Sequence, residues 1–254
     1  MVREGFKPIP VTSPANAPLV FFLRCVVDLQ LATIARCLRP ALKNITGAVL
    51  DVGAGQSPWR GWLPDTATYQ GIDIAYAADF GMQPKAKDVI YYAGATMPIA
   101  DNSYDAVLCI EVLEHTQDPR LLLSEVIRVM KGDAILLMTV PWSARRHHIP
   151  HDFRRYTREG LALVLGQAGF TSIKISERGN DVAVIANKLT VLALRLGVPE
   201  KWWHCLATWP LALLCGALAC TFIASAHVCI ALGWGSKEDP LGYFISAIKA
   251  AKPA

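Results

Sequence analysis

Between residues 46 and 178 the chain alternates short apolar runs with helical patterns. AVLDV (48–52), YQGIDI (69–74), DVIYY (88–92), DAVLCI (105–110) and AILLMTV (134–140) read as strands, and TSIKIS (171–176) as a sixth. Apolar runs this short, bounded by turn residues, suit strands buried on both faces. In DPRLLLSEVIRVMKG, Asp118 is placed to cap a helix and Pro119 suits its first turn. Leu122, Val126, Val129 and Met130 form its apolar stripe, and Lys131-Gly132 closes it. TREGLALVLGQAGF is a second helix, capped by Thr157. Strand-helix alternation predicts a mostly parallel sheet with helices on both faces.

The flanks differ from this core. A Pro/Ser/Asn-rich leader precedes an amphipathic helix expected over 18–39, with Arg24, Asp28, Arg36 and Arg39 on one side and Pro40 ending it. Residues 179–236 are helical and increasingly apolar, and no Asp, Glu, Lys or Arg occurs from Trp202 to Ser236. YFISAIK (243–249) then alternates as a strand does. Four units follow: leader and amphipathic helix (1–45), core (46–178), apolar helical insertion (179–236), and last strand with tail (237–254).

Of the 254 residues, 53% are hydrophobic and 18% charged, below the roughly 25% charge of an average soluble domain. The net charge of +4 comes without a Lys/Arg block, so no nucleic-acid partner is expected, and an anionic membrane surface fits better. Seven cysteines without a CxxC point to a reducing compartment rather than to disulfides or zinc. The leader carries no apolar run of the signal-peptide kind. The expected location is cytoplasmic, peripheral or monotopic on the cytoplasmic face of a membrane. Residues 202–236 are long enough to span, and Trp202, Trp203, Trp209 and Trp234 bracket them as interfacial anchors would. Pro210, Gly216 and Ser225 are places where the segment could bend into a hairpin. A buried helical pair or a dimer interface is the alternative.

The strongest chemical signal is VLDVGAGQSPWR (49–60), where a strand ending in Asp51 runs into Gly53-Ala54-Gly55. Glycines let the backbone turn tightly and approach a ligand at the carboxyl edge of a sheet. Ser57 stands where a third glycine would complete GxGxxG, which weighs against a nicotinamide-dependent oxidoreductase. Asp73 ends the next strand, 22 residues after Asp51, placed to accept hydrogen bonds from ribose hydroxyls.

In order, VLDVGAG, GIDI and MPIADNSYDAVLCIEVLEHTQDPRLLLSEVIRVMKGDAILLMTVPW resemble the class I S-adenosylmethionine-dependent methyltransferases of the small-molecule and lipid type. PHDFRRYTREGLALVLGQAGF (150–170) is similar to the next stretch of that family. The resemblance implies a Rossmann-like, seven-stranded sheet whose last strand, 243–249, runs antiparallel beside the fifth. It implies S-adenosylmethionine as cofactor, with Gly53, Ala54 and Gly55 around its methionine part and Asp51 on its amino group. Asp73 would bind the ribose, Ile74 would flank the adenine, and Ile110 and Glu111 would close over the cofactor. Ala93 stands where the family often has an adenine-binding acid, so adenine recognition falls to backbone around Ala95.

For the acceptor, His115, His151 and Tyr156 are the candidate catalytic groups; for His115 the stronger reading is structural, Glu114 and His115 forming an LEH turn that holds the loop and caps the helix at 118–131. A hydroxyl acceptor needs a base; an amine or a stabilised carbanion needs none. Arg154 and Arg155 are candidates to pair with a phosphate or carboxylate. His147, His148 and His151 do not form HExxH, and Pro150 interrupts any helix that would align them, so no metal is expected. The expected reaction is methyl transfer to an apolar or membrane-associated acceptor, a small molecule or a lipid-linked one. A non-catalytic membrane adaptor with the same fold is the rival that Ala93 leaves open.

Overall fold

The computed structural model describes residues 9–76, 86, 88–199 and 201–250. The first eight residues of the leader and the last four of the tail lie outside the described residues, as does the side chain of Trp202.

Seven strands form one sheet: β1 (Gly47–Val52), β2 (Ala67–Ile74), β3 (Val89–Tyr92), β4 (Tyr104–Ile110), β5 (Met130–Pro141), β6 (Phe170–Arg178) and β7 (Gly242–Lys249). Their order is β3-β2-β1-β4-β5-β7-β6. Strands β1 to β5 pair in parallel, and β7 enters antiparallel between β5 and β6, as expected of the last strand. Successive side chains point to opposite faces, and the two cores follow from that. Leu50, Val107, Leu136 and Met138 face α3 (Pro119–Val129) and α4 (Arg158–Ala168). Val49, Ala106, Leu108 and Leu137 face the buried side of α2 (Leu29–Leu42), whose Ile34, Leu38 and Leu42 complete that core.

Local sequence accounts for several boundaries. Asp118 accepts hydrogen bonds from the Arg120 and Leu121 amides at the start of α3, and Thr157 accepts from Gly160 at the start of α4. The chain leaves α3 at Val129, two residues before Lys131, because Met130 already pairs with Tyr104 as part of β5.

Two expectations need correction. The helix over 18–39 is two helices, α1 (Pro18–Val27) and α2, and α2 runs past Pro40 to Leu42. Asp28 breaks them. Its backbone is extended and its carboxylate accepts from the Leu31 amide, so it caps α2 instead of continuing α1. Pro40 lies in the last turn of α2, where few later residues depend on the ladder it interrupts.

The apolar stretch also does not fold back on itself. It is one continuous helix, α6 (Cys205–Leu232), of 28 residues, and its partner is α5 (Asp181–Gly197). Asn180 Nδ2 donates to the Trp234 carbonyl, and the Asp181 amide donates to the Ser236 carbonyl. The start of α5 and the end of α6 are thus tied at the sheet, and the pair is antiparallel, its other end at Gly197 and Cys205. Pro210 is the sixth residue of α6, past its first turn, and the helix runs on through it. Cys215, Ala219 and Ala226 are buried, whereas Leu206 is 89% and Leu213 76% exposed. Among the described residues, α6 is the one helix long and apolar enough to cross a membrane, by length and composition alone.

Candidate active site

A cavity of about 710 Å³ opens at the carboxyl edge of the parallel strands, the ligand edge of such a sheet. Asp51, Gly53, Ala54, Gly55, Asp73, Ile74, Ala95, Ile110 and Glu111 all line it. The glycine turn after β1 has a steric reason. Gly53 has φ +71°, and a Cβ there would overlap a Val112 methyl, so the turn fits only a residue without a side chain. The Gly53 and Ala54 amides donate to the Ile72 carbonyl, which binds the turn to β2.

Asp73 holds the same turn from the other side. Its carboxylate accepts from the Gly55 amide at 2.9 Å and from the Ile74 amide at 2.8 Å. Burial raises its pKa, and those two amides oppose the rise. Asp51 is buried beneath the turn and accepts from the Tyr69 hydroxyl at 2.7 Å. Burial pushes its carboxyl up to about 7, with the Tyr69 hydrogen bond lowering and the Asp73 charge raising it. A buried carboxyl facing a cavity, with no cation beside it among the described residues, suits a cationic ligand group. A glycine turn without side chains, two carboxylates and the apolar walls Ile74 and Ile110 fit the amino group, ribose and adenine of S-adenosylmethionine. Ala93 and Ala95 line the wall without offering a side-chain acceptor.

At the far end of the cavity the structure brings together His115, His147, His148 and His151. His115 follows β4 in a single turn over Leu113–His115. Its Nδ1 lies 2.7 Å from the His151 carbonyl and its Nε2 lies 3.1 Å from His147 Nε2. Burial first, then the neighbouring His147, pulls the His115 pKa down to about 4. The ligating nitrogens of His115, His147 and His148 all fall within 4.8 Å of one another. The sequence pattern had grouped His147 and His148 with His151. The fold substitutes His115, because His148 has a positive φ of 52° and the chain turns there, while His151 joins through its carbonyl.

The remaining acceptor candidates are engaged elsewhere. Tyr156 does not line the cavity. Its ring packs against the sheet core, and its hydroxyl is buried without a hydrogen-bond partner. Arg154 donates to the Thr116 and Gln117 carbonyls. Arg155 forms a two-pronged pair with Asp152. Both arginines therefore fix the loop after β4 and the segment after β5 rather than reaching into the cavity.

Arg178 escaped sequence reasoning, and the burial of Glu114, expected only as part of the loop-holding LEH turn, was not legible there. Arg178, at the end of β6, is fully buried and donates to Glu111, Thr33 and the Val140 and Tyr243 carbonyls. Glu114 is also fully buried, and neither of its oxygens has a hydrogen-bond partner. Burial raises its pKa well above the carboxylate range, and the Glu111 charge adds to this.

Residues 50–138 match the model of a methyltransferase domain family. An uncharacterized methyltransferase of Mycobacteroides abscessus is 32% identical over 175 residues, covering 61% of this chain and 68% of that protein. Among solved structures, a S-adenosylmethionine-dependent methyltransferase of Thermotoga maritima, titled a possible histamine N-methyltransferase, superposes with a TM-score of 0.53. It is 13% identical and covers 93% of this chain and 96% of its own. The cyclase SpnF superposes with a TM-score of 0.54 at 20% identity, covering 87% of this chain and 83% of its own. Those two likenesses establish the fold. The reaction class rests on the sequence relationship together with the motifs, and on that ground the chain belongs to the class I S-adenosylmethionine-dependent methyltransferases.

Proposed function

We propose that this methyltransferase acts on an apolar acceptor presented by a membrane, from a peripheral or monotopic position on the cytoplasmic face. One observation carries the reading: the uncovered apolar surface adjoins the cavity. Helix α1 contributes Arg24 and Asp28, its C-terminal neighbour, to the cavity lining, while Phe22, Leu23 and Val27 point outward. His227 of α6 lies 2.9 Å from the Val26 carbonyl through its Nε2, so the exposed apolar side of α6 continues that of α1. Exposed Trp203, Trp209 and Trp234 add interfacial side chains. A helix apolar on every side, with one stripe covered by α5, leaves the rest to a nonaqueous neighbour.

Within the site, Asp51 holds the cofactor's amino group, the Gly53–Gly55 turn wraps its methionine part, and Asp73 takes the ribose. Ile74, Ala95 and Ile110 enclose the adenine, and Glu111 closes the wall. The bound cofactor supplies an activated methyl group on a sulfonium. The protein's task is then to align the acceptor atom with that methyl carbon, which supplies on the order of 7–11 kcal/mol. His115 and His151 stand on the acceptor side. Flotation with anionic phospholipid vesicles, followed by incubation with methyl-labelled cofactor and a membrane lipid extract, tests the reading. Co-flotation with label in the lipid phase is expected. A protein that stays in the aqueous layer as a dimer, or binds cofactor without labelling any lipid, overturns it.

A further inference from the structure

We propose that His115, His147 and His148, with the carboxylate of Glu114, form a binding site for a divalent transition-metal cation at the acceptor end of the cavity. His115 Nδ1 faces the His151 carbonyl at 2.7 Å, an acceptor, so that nitrogen carries the proton. His147 Nδ1 faces the Arg145 carbonyl at 3.2 Å and an Asp152 carboxylate oxygen at 3.4 Å, again acceptors. A neutral imidazole has one N–H. Both protons being committed, the two Nε2 atoms meet 3.1 Å apart with their lone pairs facing. Nothing in two neutral rings makes that approach favourable, whereas a cation between them does.

The second observation is independent of the histidines. Glu114 is fully buried and neither oxygen has a hydrogen-bond partner. Oε1 lies 3.6 Å from His115 Nε2 and 4.0 Å from His147 Nε2. A buried carboxyl without a donor is costly, and a cation at the histidines supplies the missing charge. The Nδ1 contacts have the form that fixes ring and tautomer in metal-binding histidines: a carbonyl for His115, a carboxylate for His147. Imidazole nitrogens with one carboxylate select zinc, cobalt, nickel or copper over magnesium or calcium. Two nitrogens on one zinc lie roughly 3.3 Å apart at a Zn–N distance of about 2.0–2.1 Å and a tetrahedral angle, close to the separation seen here. His115, His147 and His148 all line the cavity, so an acceptor carrying a ligating oxygen would reach the ion as a fifth ligand. That last consequence rests on the cavity being the acceptor site; the metal site itself does not.

The test uses the full chain and the metal ions alone, without acceptor. Protein stripped with a chelator is titrated with Zn2+ by calorimetry, and with Co2+ by visible absorption. We expect one equivalent of either ion, with Co2+ giving the intense bands of a low-symmetry nitrogen-oxygen site. His147→Ala and Glu114→Gln should each weaken Zn2+ binding at least tenfold, and His204→Ala, far from the site in sequence and outside the cavity lining, should not. Should the Glu114 variant fail to fold, the Co2+ spectrum of the unaltered protein still decides. Absence of stoichiometric binding, or Zn2+ affinity unchanged in His147→Ala, overturns the proposal and leaves a proton shared between two rings. Vesicle flotation is read separately, so failure of the membrane reading is distinguishable from failure of this one.

Discussion

Arg178 Nη2 donates to Glu111 Oε1 across 2.8 Å, joining the end of β6 to the first residue beyond β4. Glu111 has a positive φ of 55°, a conformation that costs a non-glycine residue energy and persists only where its surroundings hold it. Arg178 is such a holder. Its guanidinium also reaches Thr33 on α2 and carbonyls on β5 and β7. One buried side chain thus fixes the cavity wall, the inserted strand and the covering helix relative to one another.

Removing Arg178 should therefore cost more than a surface ion pair. Arg178→Met leaves Glu111 without its partner and is expected to destabilise the fold by about 3–5 kcal/mol. Arg178→Lys should recover only part of this, because an ammonium cannot serve so many separate acceptors. Urea denaturation of the three proteins checks it.

Gly53→Ala should weaken cofactor binding before it unfolds the chain. The left-handed backbone alone costs about 1–2 kcal/mol, and the new methyl overlaps Val112. A tenfold or greater loss of affinity for S-adenosylhomocysteine by calorimetry is expected, with partial recovery in the double variant Gly53→Ala, Val112→Ala.

Asp51 predicts a pH dependence. Its carboxyl is raised from 3.8 to about 7, so the native state holds this proton more tightly than the unfolded chain. Its contribution to stability is complete below 3.8 and declines as pH rises towards about 7. A cationic amino group favours the ionised form, so cofactor binding should tighten over the same interval and release a proton near pH 6. Calorimetry in two buffers of different ionisation heat measures that proton. Asp51→Asn should abolish both trends.

Tyr156→Phe should leave turnover and cofactor affinity unchanged. Its hydroxyl is buried without a partner, and deleting such a group is neutral or stabilising by about 1 kcal/mol. Steady-state rates and thermal melts decide; a large fall in turnover would return Tyr156 to the acceptor side.

The α5–α6 hairpin should lie in one leaflet. Helix α5 exposes Lys188 and Arg195 along its length, and a charge at the bilayer centre costs on the order of 2.5–3.5 kcal/mol or more. Labelling tags inserted after Pro199, at the hairpin tip, and at the C-terminus should both be reached from the same face of sealed vesicles. A tip tag reached only from the other face would show a spanning hairpin.

What sequence alone determined was whatever a short window specifies. Strand runs, the Gly53–Gly55 turn, Asp73 at the end of its strand and the caps at Asp118 and Thr157 are set by backbone sterics and near-neighbour hydrogen bonds, so spacing reveals them. The place of β7 followed from resemblance, since no local rule puts an antiparallel strand between β5 and β6. Only the tertiary structure decided the rest. Arg178 looks like an ordinary surface charge in the sequence and Glu114 like one side chain of a loop-holding turn, because their burial depends on elements tens of residues away. His115 joins His148 and His147, the latter 32 positions further along the chain, a juxtaposition created by two loops at the same sheet edge. Helix α6 found its return partner in α5 and stayed continuous, since packing against a neighbouring helix outweighs the local bias of a proline or a glycine within it.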